Sequence, residues 1–566
     1  MFSMSLQPQT APSCSSSNQI FRRDAHFNGL SGFQAYCRDY LADNLPRFAR
    51  ECLPELCRLP FSRLHASLFR RRRAKTIRPL AERTGQLDVI LAPRGAAKSS
   101  LMSLVFPLHA LLFDSERYII LISATLHQAT QRLANLRGLL TSSPLVRELF
   151  PERLARLRRG SSRVLELGEI RVEAFSAGSE LRGITHGPWR PTWVILDDIE
   201  RGDRVASATQ RDALGDWFHQ VVEPLGDRTT HIDLVGTLLH RDALPARLLQ
   251  RPDVQGHIFR SILTESDRPD LWAEWRARYA DLSDADRLAT ARRFFETERP
   301  AMAARARVLW PAREDYYDLQ QLRTRLGNAA FEQEKQNAPA LGVGALFIPS
   351  QLHWFTLREK HLELDLPPAV SAITSTAPPR RELADLQIYG FLDPALGGKD
   401  GDYAAIATLG TDAAGYFYLL DLWIERAGPA RQIAVAFDLH ARWHYNAFAV
   451  ETVAFQKLLL EHFETERTRR RAQSNAGAWD LPLYPFTPRG EKLARIAALE
   501  PLTRNGWLLF NHALPETFTR QLSDFPRAQH DDGPDALAGA IHLAQSRLIT
   551  HAACLTITRR PPTTPF

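Results

Sequence analysis

Cysteine, membrane-length apolar runs and a large charge excess are all scarce in this chain, and each scarcity closes off a class. The five cysteines, Cys14, Cys37, Cys52, Cys57 and Cys554, are odd in number and scattered. No second Cys or His pair stands at zinc spacing from Cys52 and Cys57, so free thiols in a reducing cytoplasm are expected rather than a disulfide framework or a zinc module. No apolar run approaches the roughly eighteen residues of a membrane span, and the first residues lack the basic-then-apolar order of a signal peptide. A cytoplasmic protein without a membrane partner is the expectation. The formal net charge is only +7, compatible with a phosphate-backbone partner without pointing to one. What is there is an ordinary globular composition on 566 residues, too long for one core. At roughly 150 residues per domain, two to four domains are expected.

One stretch organises the rest. Asp88-Val89-Ile90-Leu91-Ala92-Pro93-Arg94-Gly95-Ala96-Ala97-Lys98-Ser99-Ser100 is an apolar run that breaks at Pro-Arg-Gly and resumes as a helix former. Strand, tight loop and helix in that order suit a nucleoside triphosphate. Loop N–H groups and the helix N-terminus face the phosphates, a Lys reaches the β and γ oxygens, and a hydroxyl holds Mg²⁺. Lys98 and Ser99 fill the last two roles, and Arg94, Gly95, Ala96, Ala97 and Ser100 complete the expected nucleotide contacts. The usual G-x-x-x-x-G-K-[ST] pattern is departed from, because Ala92 and Ala97 stand where glycines belong. Read alone, the loop fits an ordinary strand-to-helix turn about as well. A second stretch tips the balance: Pro191-Thr192-Trp193-Val194-Ile195-Leu196-Asp197-Asp198-Ile199-Glu200 is a buried-type strand running into acids. A P-loop enzyme needs carboxylates there to hold the Mg²⁺ shell and to orient the attacking water. Asp197 takes the metal side, and Asp198 or Glu200 the water.

Residues 1–25 are polar and expected to be disordered. Residues 26–84 read as helical and end in Arg70-Arg71-Arg72-Arg73-Ala74-Lys75, a solvated helix face or, less readily, a DNA-phosphate patch. Within 85–336, strands at 118–123, 164–167, 170–175, 193–198 and 232–237 alternate with helices at 125–140 and 209–222. That order predicts a parallel sheet with helices on both faces and ligands at the carboxyl ends of its strands. A charged helical part at 251–330 is expected to complete this domain, with Trp272, Trp275, Tyr279, Phe294 and Phe295 packing. Residues 337–384 read as a linker or surface excursion, in which Pro367-Pro368 and Pro378-Pro379 bracket Ser and Thr. In 385–548, strands at 388–393, 404–409 and 416–423, a helix at 430–445 and a strand at 447–451 give a β-β-β-α-β order, the opening order of an RNase H-like domain. Residues 549–566 form a tail.

Acids stand at the right places on those elements. Asp393 ends the first strand, Glu451 ends the fourth, and Asp531-Asp532 opens a helix-like segment that includes Asp535. Converging carboxylates repel unless divalent ions sit among them. Two Mg²⁺ or Mn²⁺ ions at such a site can activate a water and stabilise the departing 3′ oxygen of a phosphodiester. Taken singly, Asp531 and Asp535 read as helix caps, Asp402 as a hairpin-turn acid before an auxiliary metal neighbour, and Lys492 and Arg495 as bland helix-face residues or phosphate contacts. Which of Asp531, Asp532 and Asp535 completes the set stays open.

With these marks the chain resembles the large terminase subunit of tailed bacteriophages. The likeness runs from about Leu87 to Leu543. It is carried by the loop at 92–99, Arg182-Gly183, Ile195 to Glu200, Val235-Gly236-Thr237 with His240 and Asp242, Phe331 to Pro339, Asp393-Pro394-Ala395, Val450-Glu451 with Phe455-Gln456, and His530-Asp531-Asp532 with Pro534-Asp535-Ala536. The resemblance implies an Arg-containing deviant P-loop with Arg94 as γ-phosphate sensor, Gly236-Thr237 as coupling motif, and Arg182 as either an arginine finger or a structural ion pair. It further implies ATP-driven packaging of double-stranded DNA into a prohead and a two-metal endonuclease cutting concatemers. Implied partners are the portal protein, the small terminase subunit and further copies in a ring. The implied location is the cytoplasm of the bacterial host and transiently the prohead portal, outside the mature virion. Two rivals are a nucleic-acid-dependent helicase or ATPase, since Ser123-Ala124-Thr125 matches a short helicase triad but precedes the acid-ended strand, and a non-catalytic DNA-binding assembly protein with decayed sites.

Overall fold

The computed structural model describes residues 29–53, 58–158, 160–205, 207–339, 346–365, 379–395, 402–451, 456–473, 479–488 and 491–557. They divide into two units: Met1–Ser261 with Val308–Asp315 and Glu334–Ala338, and Ile262–Arg307 with Tyr316–Gln333 and Pro339–Phe566. The segment expected to be disordered, 1–25, lies outside the described residues, as do the proline pairs' Pro367, Pro368 and Pro378.

In the first unit, helix α1 (Arg63–Thr76) precedes strand β1 (Leu87–Leu91). After the loop come α2 (Lys98–Ser100), a π-helical turn (Leu101–Val105) and α3 (Phe106–Phe113). Strand β2 (Tyr118–Ser123) leads to α4 (Leu126–Ser142), which starts where Thr125 and Gln128 form a capping box. Then follow β3 (Leu157–Arg158), β4 (Val164–Leu167), β5 (Ile170–Ser176), β6 (Trp193–Asp197), α5 (Ala208–Trp217), β7 (His231–Gly236), α6 (Leu244–Leu248) and β8 (Val254–Ile258). The sheet order is β3-β4-β5-β2-β6-β7-β1-β8, parallel from β5 to β8 and antiparallel at the β3-β4 end. Strands covered on both faces read as continuous apolar runs. Alternate residues do face different cores here: Ile90, Ile119, Leu121 and Ile195 pack with Phe106 and Leu133, whereas Val89, Ile120, Val194 and Leu234 pack with Phe218 and Leu248. Register brings Ser123 level with Asp197, Asp197 level with Val235, and Leu91 level with Gly236. The polar ends therefore share one rim of the sheet.

The basic run on α1 is only in part a solvated face: Arg70 and Arg73 are exposed, whereas Arg71, Arg72 and Lys75 turn inward. Lys75 is buried between Asp88 on β1 (3.0 Å) and Asp233 on β7 (2.5 Å), and Arg71 reaches Asp88 at 2.7 Å. Arg72 pairs with Glu116 at 2.9 Å while its guanidinium lies 3.7 Å over the Trp193 ring. Two sheet carboxylates that face α1 require these cations, and the sequence run supplies them at helical spacing.

The second unit begins with α7 (Pro269–Ala280), α8 (Arg287–Met302) and α9 (Tyr316–Leu326), clustered around Trp272, Trp275, Phe295 and Tyr317. The sequence reading attaches these helices to the first domain. The structure groups them with the second, where the Trp507 indole donates to the Ala280 carbonyl at 2.6 Å and the Leu282 N–H to the Tyr416 hydroxyl at 3.0 Å. The stretch read as a linker, 337–384, contributes strands in its described part: β9 (His353–Leu357), β10 (His361–Leu364) and β11 (Arg380–Glu382). Then come β12 (Gln387–Asp393), β13 (Ala404–Thr411), β14 (Phe417–Glu425), α10 (Pro429–Trp443), β15 (Ala447–Glu451), β16 (Leu483–Phe486), α11 (Lys492–Ala497), β17 (Leu508–Asn511), α12 (Glu516–Asp524) and α13 (Asp532–Ile557), the last running past residue 548 into the expected tail.

The sheet order β11-β10-β9-β17-β14-β13-β12-β15-β16 contains the five-strand RNase H-like core, with β12 antiparallel to β13 and parallel to β15. The fold class is thus α/β, a P-loop-type parallel sheet followed by an RNase H-like unit. Helix α13 lies close on β12, where a Cβ at Gly539 would run into the Phe391 ring. That close approach carries the acids at the start of α13 towards the sheet.

Candidate active sites

The first site occupies the shared rim of the parallel sheet. The loop leaves β1 with the Ala92 N–H donating to the Gly236 carbonyl at 2.9 Å. Gly95 (φ 85°) and Ala97 (φ 60°) both turn left-handed, so Ala97 adopts the conformation that favours glycine at a cost of about 1 kcal/mol. Among the described residues neither the Gly95 nor the Ala97 N–H donates a hydrogen bond, and the Leu101 N–H turns back to the Ala97 carbonyl at 3.3 Å. Unbonded N–H groups in such a left-handed turn before a helix can receive an anion. Lys98 is buried, with its ammonium 3.1 Å from the Thr237 hydroxyl and 3.5 Å from Asp198. The Thr237 hydroxyl in turn donates to the Ala92 carbonyl at 3.2 Å.

Asp197 is fully buried at the end of β6. It accepts from Ser99 at 2.8 Å and Ser103 at 2.5 Å and pairs with Arg132 at 3.1 Å. Burial pushes its carboxyl above the ordinary range, helped by the charge of Asp198 and opposed by Arg132 and the two serines. Asp198 sits left-handed (φ 50°) with its side chain 42% exposed to the cleft. Glu200 is set deeper. One of its oxygens accepts the Leu244 N–H at 2.9 Å, capping α6, and the other is buried without a partner, so burial raises its pKa to about 7. Arg94, 72% exposed, is held by Glu334 at 2.9 Å. A cleft of about 370 Å³ is lined by Arg94, Lys98, Gln128, Asp198, Glu200 and Thr237 among others. Free loop N–H groups, a buried ammonium and a hydroxyl beside a carboxylate fit a nucleotide phosphate with a divalent ion. Lys98 and the loop would hold the phosphates, and Ser99 with Asp197 the ion.

The second site lies where β12 and β15 end side by side. Leu392 pairs with Val450, which places Asp393 next to Glu451. Asp531, Asp532 and Asp535 come from the start of α13. Lys492 on α11 stands among them, 2.8 Å from Asp531, 3.2 Å from Asp532 and 3.8 Å from Asp535. Arg495 pairs with Asp535 through two nitrogens, the nearest contact at 2.7 Å, and lies 3.9 Å from Glu451. Burial, with repulsion from Asp535, Glu451 and Asp532, drives Asp393 well above the usual carboxylate range against the pull of Lys492. Glu451 and Asp535 are raised as well, burial again leading. Asp532 also accepts the Tyr403 N–H at 3.2 Å, and Asp402, His530 and Asp532 offer ligand atoms within 4.8 Å of one another. The carboxylates gathered around the Lys492 ammonium offer oxygen donors that suit hard divalent cations, with the His530 nitrogen beside Asp402 and Asp532.

The structure brings together the loop residues and acids expected at each site and revises some roles. Asp535 is a buried partner of Arg495, not a cap, and Lys492 and Arg495 both pair with acids of the site. Arg182 is 63% exposed, 3.7 Å from Glu180, and outside the cleft lining. Ser103 and Arg132 were missed as partners of Asp197. They lie one helical turn past Ser99 and on the face of α4 towards β2, a periodicity visible only once the rim is known. Phe455 lies outside the described residues, and the Gln456 side chain is not described.

No protein-family model and no curated protein matches the chain. Among solved structures it is similar to the large terminase of a thermophilic bacteriophage in complex with ADP, at 10% identity and a TM-score of 0.43, over 85% of this chain and 98% of that one. It is similar to the HK97 bacteriophage large terminase at 14% identity and a TM-score of 0.28, over 81% and 91% of the two chains. The Mn-soaked human cytomegalovirus terminase nuclease domain is similar to 29% of this chain, over 85% of its own length, at 13% identity and a TM-score of 0.22.

Proposed function

We propose that the chain is the motor and nuclease of phage DNA packaging: ATP hydrolysis in the first unit drives double-stranded DNA into a prohead, and the second unit cuts the concatemer. One observation carries the reading. A single chain pairs a phosphate nest facing a strand-end aspartate with an RNase H-like sheet whose two central parallel strands end in Asp393 and Glu451. In the first unit, Lys98 and the loop N–H groups orient the triphosphate, Ser99 and Asp197 hold its Mg²⁺, and Asp198 or Glu200 accepts a proton from the attacking water. Thr237, bonded both to Lys98 and to the loop carbonyl of Ala92, feels the γ-phosphate through either contact. In the second unit, Asp393, Glu451 and Asp531 or Asp532 hold Mg²⁺ or Mn²⁺. When bound, the ions lower the pKa of a water and neutralise charge on the departing oxygen. The marker order extends the reading to a ring of copies at the portal, a small terminase partner and residence in the host cytoplasm. The antiparallel half of the second sheet speaks against a helicase, which would need a second parallel nucleotide-binding sheet there.

The test is plasmid cleavage with and without Mn²⁺ on the wild-type chain and on Asp393→Asn, alongside ATP turnover by Lys98→Ala. Metal-dependent cutting that disappears in the first variant and turnover that disappears in the second are expected. Cutting that survives Asp393→Asn would sink the assignment of the nuclease site.

A further inference from the structure

Two glycines are missing from the phosphate loop, and something else must hold its peptides in the conformation that glycines usually make easy. The side chain placed to do so comes from α1. His65, 1% exposed, has its Nε2 3.1 Å from the carbonyl oxygen of Ala96, in the middle of the loop. Its Nδ1 lies 2.9 Å from the Ser62 backbone N–H and 3.0 Å from the Ser62 hydroxyl. A backbone N–H can only donate, so Nδ1 is the acceptor and Nε2 carries the hydrogen that Ala96 receives. The ring is fixed on its other sides by Trp310, edge-on at 4.5 Å, and Phe61 at 5.5 Å. Trp310 is itself anchored by its indole to the Pro60 carbonyl at 2.7 Å.

The consequence follows from peptide geometry. The Ala96 carbonyl and the Ala97 N–H belong to one trans-planar unit and point in opposite directions. A bond that draws the carbonyl towards His65 therefore aims the Ala97 N–H away from α1, to the side where the loop's free N–H groups collect. Ala97 holds φ 60° without being glycine, and the Ala96 N–H is turned aside to Pro93 at 3.2 Å. We infer that His65 is a positioning residue for phosphate binding, a clamp that holds the Ala96–Ala97 peptide in the nest conformation and substitutes for the glycine absent at position 97. The inference rests on the reading of this loop as a nucleotide site.

The experiment compares His65→Gln with His65→Asn in the full chain. Both lose the ring and keep a polar amide, but Gln can place an N–H donor near the Nε2 position, while the shorter Asn amide falls short of Ala96. Affinity for a fluorescent ADP analogue is measured by titration, and fold is checked by near-ultraviolet circular dichroism. His65→Leu replaces His65→Asn should the latter not fold. The expected result is an affinity loss of about tenfold for Asn, as for one lost hydrogen bond, with Gln within about threefold of wild type. A purely structural histidine would weaken both alike. Equal affinities for the two variants, whether reduced or unchanged, overturn the clamp while leaving the nucleotide site standing. A wild-type chain that binds no ADP analogue overturns the loop reading itself, and the clamp with it.

Discussion

Glu200 offers a test in which stability and chemistry give separate answers. One of its oxygens caps α6 through the Leu244 N–H, and the other is buried with no partner. Replacing it with Gln keeps an acceptor for Leu244 and removes a desolvated charge. Burial raises the carboxyl from 4.5 to about 7, with the Leu244 bond and Arg211 and Arg247 pulling the other way. The folded state therefore binds this proton more tightly than the unfolded one. The stability that comes from holding it is fully present below the unfolded value and is lost as pH rises through about 7. At roughly 1.4 kcal/mol per pH unit the interval is worth at most about 3.5 kcal/mol, and about 2 kcal/mol after allowance for relaxation around the site.

Glu200→Gln is thus expected to match wild type near pH 4.5 and to be more stable by about 2 kcal/mol at pH 8, a rise in melting temperature of roughly 4–8 °C for a unit of this size. Thermal melts of the nucleotide-free chain at half-unit pH steps give the curve. Parallel curves for the two proteins across that range would refute the argument. ATP turnover by the same variant separates the two candidate water acceptors: lost turnover in a stabilised protein assigns the role to Glu200, and retained turnover assigns it to Asp198.

Lys75→Met leaves Asp88 and Asp233 short of a buried cation, so urea denaturation is expected to show a loss of about 3–5 kcal/mol, with Lys75→Met/Asp233→Asn recovering part of it. Lys492→Met removes the ammonium that compensates the acids of the second site. Its melting temperature should fall without divalent ions and rise more than wild type's when Mn²⁺ is added, and equal responses would count against the site. Thr237→Val keeps the shape and removes the acceptor of Lys98, so ATP affinity should drop by up to about tenfold, whereas Thr237→Ser retains it.

Much of this was legible in the sequence, for identifiable reasons. Parallel strands covered on both faces leave unbroken apolar runs, and Asp197, Asp393 and Glu451 could be placed because each ends such a run. What escaped was whatever depends on contacts distant in sequence. The helices from Pro269 to Leu326 join the second unit through Trp507 and Tyr416, more than a hundred residues later. The strands at 353–364 have half-buried patterns on short segments, which resemble loops until β17 is there to pair with. His65 lies 31 residues before the carbonyl it holds, and a lone histidine on an apolar helix face gives no sign of that.

The two sites share a physical device that bears on how basic composition should be read. Each gathers carboxylates around the ends of strands, and each sets helix-borne cations against acids there: Arg132 from α4 against Asp197, and Lys492 with Arg495 from α11 against Glu451 at a strand end and Asp531, Asp532 and Asp535 at the start of α13. Elsewhere the same pairing recurs, with Arg71, Arg72 and Lys75 held by Asp88, Glu116 and Asp233, and Arg467, Arg469 and Arg470 held by Glu464 and Glu466. The runs that stand out as positive in the sequence are in large part those already neutralised in the fold. Gathered acids demand nearby cations, and a helix delivers several on one face most readily when they are close in sequence. A run of arginines beside an acid-bearing sheet is then a sign of internal pairing first. The charge open to solvent is what remains afterwards, carried by exposed residues such as Arg70 at the start of the α1 run, and Arg156 and Arg163 elsewhere.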